Sequence, residues 1–336
     1  MRTLTFDQAV ESALNQAMGN DQSIFIMGED VHTFRVNLFA KFGKDRVIKT
    51  PISESAFVGA AVTAAMTGLQ PIVEVMLVDF IAVAMDAILN HAAKIYTFSG
   101  KKWNVPMVIR TTCGGGYGDG GQHEQTLWGM LAHIPGISVV VPSNPADAGR
   151  LMLSALESDH PVVFLEHKLL ADYMLEYMGR GGRSNLAFDV PQSGREGEVP
   201  KKWESLPFGK SKILREGADI TLISVGISVH RCLEAADLLS KKNISIEVLD
   251  LRWVSPLDVK EIIKSVTKTK KVIVVDEDYT QFGLSGEVCA VLAENDIEYT
   301  YGRVCTNTTI PFSRKKEDET LPTVKKIVKM INKLLK

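Results

Sequence analysis

Residues 57–78 of the chain read FVGAAVTAAMTGLQPIVEVMLV, and this stretch decides the fold class. From Phe57 to Gly68 it is rich in Ala and Val on all sides, which is typical of a helix buried in a core or a large subunit interface. Gly68 is placed to end that helix. From Ile72 to Val78 the residues are apolar and often β-branched, as in a parallel strand buried on both faces. A buried helix leading into a buried strand predicts an open α/β sheet.

The same alternation extends in both directions. Further strands are predicted from Ser23 to Met27, Met107 to Thr111, Ser138 to Val141 and Val162 to Leu165, and a helix is predicted from Phe80 to Tyr96. A second series has strands from Ile220 to Val225, Ile244 to Leu249 and Lys271 to Val275. Its helices are predicted from Val229 to Ser240, Pro256 to Lys264, Ser285 to Asn295 and Thr323 to Leu335.

Between the two series, residues 176–208 are rich in Gly, Pro and charges, a composition typical of a linker or surface excursion. We therefore predict an α/β domain over residues 1–175, this excursion over 176–208, and a second α/β domain over 209–336.

The composition sets broad limits on function. A chain of 336 residues with a formal net charge of −2 and 45% hydrophobic residues is expected to be globular, with no basic face for nucleic acid and no membrane span. The amino-terminal residues enter a helical pattern at once, so we expect no signal peptide. Four scattered cysteines without a Cys-x-x-Cys pair favour packing roles in a reducing cytoplasm.

One motif has the pattern of a metal-binding site. Gly118-Asp119-Gly120 followed by Asn144 looks like the sequence that binds Mg²⁺ and diphosphate in thiamine-dependent enzymes. Here the run follows a glycine-rich stretch with no apolar strand expected directly before it, and Asn144 lies between two prolines in a predicted turn. We therefore predict a flexible loop and a turn, and not a metal site.

The remaining motifs are weak when taken singly. Ser53 and Glu54 have the pattern of a helix N-cap followed by an acidic first turn. His123 follows the glycine-rich loop, where it is either a solvated loop residue or a group that reaches a pocket mouth. Met76 and Phe80, at a strand-to-helix junction, would ordinarily be core residues.

In their order and spacing, several segments together resemble the beta subunit of the decarboxylating, thiamine-diphosphate-dependent component of 2-oxo acid dehydrogenase complexes. This family includes the pyruvate, branched-chain 2-oxo acid and acetoin dehydrogenases. The segments are residues 25–31 (FIMGEDV), 50–54 (TPISE), 65–74 (AMTGLQPIVE), 121–125 (GQHEQ), 140–145 (VVPSNP), 248–252 (VLDLR) and 321–323 (LPT).

The resemblance implies a heterotetramer of two alpha and two beta chains that holds thiamine diphosphate between unlike subunits. The alpha subunit would hold Mg²⁺ and the diphosphate, and the beta subunit the aminopyrimidine. The first domain would then be a transketolase-like pyrimidine-binding domain and the second a transketolase C-terminal domain. A dihydrolipoamide acyltransferase core with its lipoyl domain would be a further partner.

The resemblance also implies residue roles. Glu54, expected to be buried, would hydrogen-bond a ring nitrogen of the aminopyrimidine and favour its imino tautomer. Met76 and Phe80 would pack on that ring, and Glu29, Ile52 and Ser53 would line its pocket. His123 would position the lipoyl group or substrate and transfer protons, while Glu124 adds a charge beside it.

Some members of the family that this chain resembles bind potassium through backbone carbonyls. The matching positions are Met107, Ala155, Leu156, Ser158 and His160, and the last two side chains depart from the usual acid and amide.

The leading hypothesis is an enzyme subunit that, with an alpha partner, cleaves a small 2-oxo acid or acetoin and passes the acyl group to a lipoyl domain. One alternative is a non-catalytic assembly subunit that supports the alpha chain and docks the core through residues 209–336. Another is a self-sufficient thiamine transferase, for which the chain lacks a second diphosphate-binding domain. The sequence does not choose among pyruvate, branched-chain 2-oxo acids and acetoin.

Overall fold

The computed structural model of the chain describes residues 1–171, Tyr173 and residues 188–336. The part of the predicted excursion from 176 to 187 lies outside the described residues.

The strands in chain order are β1 (Arg2–Thr5), β2 (Ile24–Gly28), β3 (Val47–Lys49), β4 (Gln70–Leu77), β5 (Val108–Cys113), β6 (Ser138–Val140), β7 (Val162–His167), β8 (Glu196–Val199), β9 (Lys212–Arg215), β10 (Ile220–Ser224), β11 (Ile246–Asp250), β12 (Trp253–Ser255), β13 (Lys271–Tyr279) and β14 (Thr300–Thr306). The α-helices are α1 (Phe6–Asn20), α2 (Val31–Phe34), α3 (Val36–Phe42), α4 (Glu54–Met66), α5 (Ile95–Phe98), α6 (Trp128–Ala132), α7 (Pro145–Leu156), α8 (Gln192–Arg195), α9 (Ser228–Ser240), α10 (Val259–Thr269), α11 (Leu284–Glu294), α12 (Arg314–Thr320) and α13 (Val324–Leu334).

Two open sheets confirm the predicted α/β class. The first has seven strands in the order β12-β6-β7-β5-β4-β2-β3, parallel except for β12 at one edge. The second has five strands in the order β14-β13-β10-β11-β9, parallel except for β9. Strand β12 comes from the later part of the chain, so the two series are joined by a shared sheet edge.

The first sheet is covered on both faces. One face packs against α1 and α7, and the other against α4. The apolar cluster on the α4 side continues into the second sheet, where Ile223, Leu249 and Val274 belong to it. This continuity explains why β5, at the centre of the first sheet, is buried along its whole length.

Helix α4 is less buried than its composition predicts. Phe57, Val58 and Ala61 are buried, but Ala56 and Ala60 are exposed on the opposite face. Of the two settings that the sequence allows, a core or a subunit interface, this open alanine face is compatible with the interface.

Three predicted elements differ from the structure. The predicted helix from Phe80 to Tyr96 is a 3₁₀ helix (Val78–Ala84), a π-helix (Asp86–Ala92) and α5. The predicted helix from Pro256 to Lys264 begins three residues later, at Val259, with Asp258 at its N-cap position. Within the excursion, β8 pairs with β1 and Trp203 is buried, so residues 188–208 pack on the first sheet's domain.

Among the helices of the described residues, none combines the length and the apolar character needed to cross a membrane.

Candidate active site

The predicted site residues lie along the carboxyl-terminal edge of the first sheet. Glu29 follows β2, Glu54 begins α4 soon after β3, Phe80 follows β4, and His123 lies in the loop after β5. Ligands of open parallel sheets bind in the crevice at this edge, because the connecting loops and helix amino termini meet there.

Glu54 and Glu29 form a pair of carboxyl groups at the mouth of this crevice. Glu54 is half-buried, whereas we expected it to be buried, and Ser53 occupies the N-cap position without a capping hydrogen bond from its side chain. The pKa of Glu29 is raised by partial burial first, and then by the negative charges of Glu54 and Asp30. Ile52 is 81% exposed beside them, so the mouth is open on one side in this chain.

Met76 and Phe80 connect these acids to His123. Met76 lines a small cavity of about 20 Å³ together with Glu29, and it packs in one cluster with Phe80. The Phe80 and His123 rings meet edge to face, with centroids 5.7 Å apart. The structure therefore brings Glu54, Glu29, Met76, Phe80 and His123 together as one row of neighbours.

The glycine-rich loop before His123 differs from its predicted form. Strand β5 extends to Cys113, two residues beyond the predicted strand from Met107 to Thr111, so it runs directly into the loop. Gly114, Gly116, Gly118 and Gly120 all have positive φ, a conformation that glycine adopts without a Cβ clash. Carboxylates accept hydrogen bonds from the backbone N–H groups of Gly115, Tyr117, Gly118 and Gly120, so the loop is held in place.

Asn144 acts as a helix cap, as its turn setting predicts. Its Oδ1 accepts the backbone N–H of Asp147 at 3.0 Å, and its Nδ2 donates to the Asp147 carboxylate at 3.1 Å. Asp119 is buried in the glycine-rich loop. The described part of the chain contains no group of three or more His, Cys, Asp or Glu side chains arranged to hold a metal ion.

The positions matched to potassium lie away from this row. Met107 precedes β5 and His160 precedes β7, so both lie at the amino-terminal edge of the sheet. The hydroxyl of Ser158 contacts His160 Nδ1 at 2.9 Å and donates to the His160 carbonyl at 3.0 Å. The Met107 carbonyl accepts the Val162 N–H, and the Ala155 carbonyl accepts the Ser158 N–H. Leu156 ends α7 beside them.

A buried ion-pair network beneath the crevice was missed by sequence reasoning. Arg110 donates to Glu166 at 2.5 and 3.0 Å and to Glu74 at 2.8 Å, and Arg35 pairs with Glu74 at 2.8 Å. Burial alone would raise the Glu74 pKa, but the charges of Arg35 and Arg110 outweigh it, so that pKa is lowered. The available signal was a charged residue inside each of three apolar strands, because buried charges require partners.

Sequence reasoning also missed Lys168. It follows β7, is fully buried, and donates to the backbone carbonyl of His123 at 2.5 Å. Glu124, expected as a charge beside His123, is fully buried and binds the backbone of the glycine-rich loop. Its carboxylate accepts the N–H groups of Tyr117 at 2.7 Å and Gly120 at 3.2 Å.

Comparison with known proteins identifies both halves of the chain. Residues 2–172 match the family described as transketolase, pyrimidine binding domain, and residues 209–327 match transketolase, C-terminal domain. A solved structure of a split gene transketolase, an inactive beta4 tetramer, has the same fold: its TM-score is 0.76 at 21% identity, covering 99% of this chain and 98% of that one.

Curated relatives extend over nearly the whole chain. The beta subunit of acetoin:2,6-dichlorophenolindophenol oxidoreductase from Bacillus subtilis is 36% identical, covering 99% of this chain and 98% of the relative. The beta subunit of the mitochondrial pyruvate dehydrogenase E1 component from Rattus norvegicus is 36% identical, with 99% and 90% covered. The 2-oxoisovalerate dehydrogenase subunit beta from Bacillus subtilis is 38% identical, with 88% and 86% covered.

Both domain families in their expected order, together with these full-length relatives, show that the chain belongs to the transketolase-like family of beta subunits of pyruvate, branched-chain 2-oxo acid and acetoin dehydrogenases.

Proposed function

We propose that this chain is the beta subunit of a thiamine-diphosphate-dependent first component that cleaves a small 2-oxo acid or acetoin and transfers the acyl group to a lipoyl domain. The observation that carries this proposal is the row from Glu54 through Glu29, Met76 and Phe80 to His123, in a chain of this family.

The residues of the row fit the aminopyrimidine end of the cofactor. Glu54 is half-buried with Glu29 beside it, so its carboxyl group is placed to hydrogen-bond a ring nitrogen. Phe80 and Met76 supply apolar surface for a flat ring, and Ile52 and Ser53 flank the mouth. When bound, thiamine diphosphate supplies the electron sink for cleaving a carbon bond next to a carbonyl.

Glu54 would hold its proton at the ring nitrogen while Phe80 and Met76 fix the ring's orientation. His123, edge-on to Phe80, would position the incoming lipoyl group and move protons there, because an imidazole gives and accepts protons near neutral pH.

An alpha subunit would complete the site. Ile52, Ala56 and Ala60 are exposed on or just before α4, and exposed Val83 accepts the Ser55 hydroxyl through its carbonyl. Exposed apolar side chains grouped in this way support an interaction surface. By the family resemblance, the alpha subunit would hold Mg²⁺ and the diphosphate, in an assembly of two alpha and two beta chains, and the Asn144 amide of this chain is engaged as a helix cap.

Several finer assignments belong to the same proposal. The acyltransferase core is the acceptor partner, and the compartment is the cytoplasm. Potassium at Met107, Ala155, Leu156, Ser158 and His160 is a further proposal that rests on the family resemblance, and Met107 and His160 lie at the amino-terminal edge of the same sheet. The domains are 1–175 and 209–336, joined through 176–208, and residues 188–208 pack on the first of them.

The test is turnover by the complex. The chain is co-expressed with its alpha partner, and dye reduction is measured with pyruvate, 3-methyl-2-oxobutanoate and acetoin. We expect one of them to be cleaved, and we expect Glu54→Gln to abolish turnover because the amide cannot exchange the proton. Glu234→Gln, an exposed acid on α9, is the matched control and should leave turnover unchanged. Undiminished turnover of Glu54→Gln would instead support the non-catalytic assembly subunit.

A further inference from the structure

We infer that Lys168, Glu124 and Glu317 are positioning residues that hold His123 in place for acyl transfer. This inference deepens the proposed function and rests on it, since it assigns three buried side chains outside the row to one step of that reaction. The three residues are called the positioning cluster below.

Lys168 is the direct link to His123. Its ammonium group donates to the His123 carbonyl at 2.5 Å, lies 3.9 Å from Glu124 Oε1, and lies 5.0 Å from the centre of the Tyr117 ring. The side chain is fully buried, so these contacts are its compensation for lost hydration. Burying a lysine costs free energy. The hydrogen bond of Lys168 is made to His123, the residue whose ring contacts Phe80.

Glu124 fixes the loop on the other side of the same ammonium group. It is fully buried and accepts the N–H groups of Tyr117 and Gly120, so it sets the path of the backbone that leads into His123. Hydrogen bonds to a carboxylate are stronger than those to a neutral acceptor. Both bonds to Glu124 are donated by a segment whose glycines would otherwise be free to change conformation.

Glu317 brings the far end of the chain to this loop. Its Oε1 accepts the Gly118 N–H at 2.9 Å, whereas its Oε2 is buried and receives no conventional hydrogen bond among the described residues. Glu317 and Glu124 therefore hold the same loop, since Glu317 accepts the Gly118 N–H and Glu124 accepts those of Tyr117 and Gly120. Two neighbouring carboxyl groups avoid mutual repulsion when one of them keeps a proton.

The neighbouring charges agree with a retained proton. Burial first, and then the neighbouring Glu124 carboxyl group, raise the pKa of Glu317 to about 9, against the weaker opposing effect of Arg314, which lies 3.7 Å away. Lys168 faces Glu124 from the β7 side, and its pKa is lowered by burial despite the charges of Glu124 and Asp119. Loss of the Glu317 proton would place two carboxylates against each other beneath the loop.

The first test is a double-mutant cycle in the complex with the alpha subunit. Dye reduction reads the steps before acyl transfer, and acylation of a free lipoyl domain reads the transfer itself. We expect Lys168→Met to slow lipoyl acylation on the order of tenfold while dye reduction changes little, because only the His123 position is disturbed. Combined with His123→Ala, it should cause no additional loss. Losses that multiply, or equal losses in both assays, would overturn the inference.

The second test uses pH. Glu317→Gln keeps one acceptor and one donor without a proton to lose, so it should retain lipoyl acylation near neutral pH. The wild-type complex should lose acylation as the pH rises through about 9, and Glu317→Gln should lack this decline. Glu319→Gln, an exposed acid on the same helix α12, is the matched control and should behave as wild type. A decline that persists unchanged in Glu317→Gln contradicts the role of Glu317.

The two proposals fail separately. If the wild-type complex reduces no dye with any substrate, the proposed function is wrong. If it does reduce dye and the cycle shows independent losses, only the positioning cluster is wrong.

Discussion

Glu54 and His123 lie at opposite ends of one row of contacts, and the chemistry expected of each differs. Glu54 is half-buried at a helix start with Glu29 beside it, a setting that suits proton exchange with a bound ring. His123 is tied through its backbone to Lys168 and through its ring to Phe80. Under the proposed function, Glu54 would act on the cofactor, and His123 would act where the lipoyl acceptor enters.

This division predicts unequal effects of removing the imidazole. His123→Ala should slow reductive acylation of a lipoyl domain by roughly 10²-fold, the usual contribution of a positioned acid–base group, and should affect dye reduction much less. Pre-steady-state measurement of both half-reactions checks this. The assignment is wrong if both half-reactions slow to the same extent.

Sequence reasoning identifies the row of residues from Glu54 to His123. It does not identify the positioning cluster. Glu54, Phe80 and His123 lie in short local motifs, so the family resemblance identifies them by position. Glu277 and Glu317 reach the glycine-rich loop from 162 and 199 residues away in the chain. A local pattern contains no information about such contacts, and a lone glutamate on a polar helix is indistinguishable from a solvated one.

At the scale of the element, helix α7 shows how one residue can suggest a metal site and serve as a cap. Asn144 accepts the Asp147 N–H, and Asp147 in turn pairs with Arg252 at 2.8 and 2.9 Å. The amide that a metal site would need is thus engaged at the helix start.

Asn144→Ala should lower the free energy of unfolding by about 1 kcal/mol, the usual cost of losing an N-cap. Asn144→Ser should retain most of this stability, because a serine hydroxyl also caps. Urea unfolding of the chain measures both variants, and Mg²⁺ titration of the complex's activity should be the same in all three proteins. A large shift in the Mg²⁺ requirement of Asn144→Ala would restore the metal assignment.

The elements themselves were predictable to different degrees. Strands such as β5 and β7 are buried on both faces, so their apolar runs mark them within a few residues. The segment after β4 was predicted as one helix because periodicity reports which side is buried and not which hydrogen-bond spacing the backbone adopts. Its 3₁₀ and π geometry therefore could not be predicted from the pattern.

At the scale of the whole molecule, the junction of the two sheets concentrates buried acids. Asp276, on β13, accepts the indole N–H of Trp128 at 2.9 Å from the first domain's helix α6. Burial first, and then the charge of Asp278, raise the pKa of Asp276 to about 8. The folded chain thus keeps a proton there that the unfolded chain releases above about pH 4.

The direction in which stability changes with pH follows from this difference in pKa. The proton contributes stability that is complete below the unfolded-state pKa and is lost as the pH rises through about 8. We expect Asp276→Asn, which keeps a neutral acceptor, to lose less stability than wild type between about pH 4 and about pH 8, by up to about 1.4 kcal/mol per pH unit. Urea unfolding at several pH values measures the difference. Asp45→Asn, at an exposed turn, is the control, and parallel curves for wild type and Asp276→Asn would contradict the expectation.

The most direct test of the shared cofactor site is calorimetric titration of thiamine diphosphate, with and without Mg²⁺, into the isolated chain and into its complex with the alpha subunit. We expect tight, Mg²⁺-dependent binding by the complex alone, with the same affinity when Asp119 and Asn144 are both replaced by Ala. Tight, Mg²⁺-dependent binding by the isolated chain that disappears in the Asp119→Ala, Asn144→Ala double variant would contradict it.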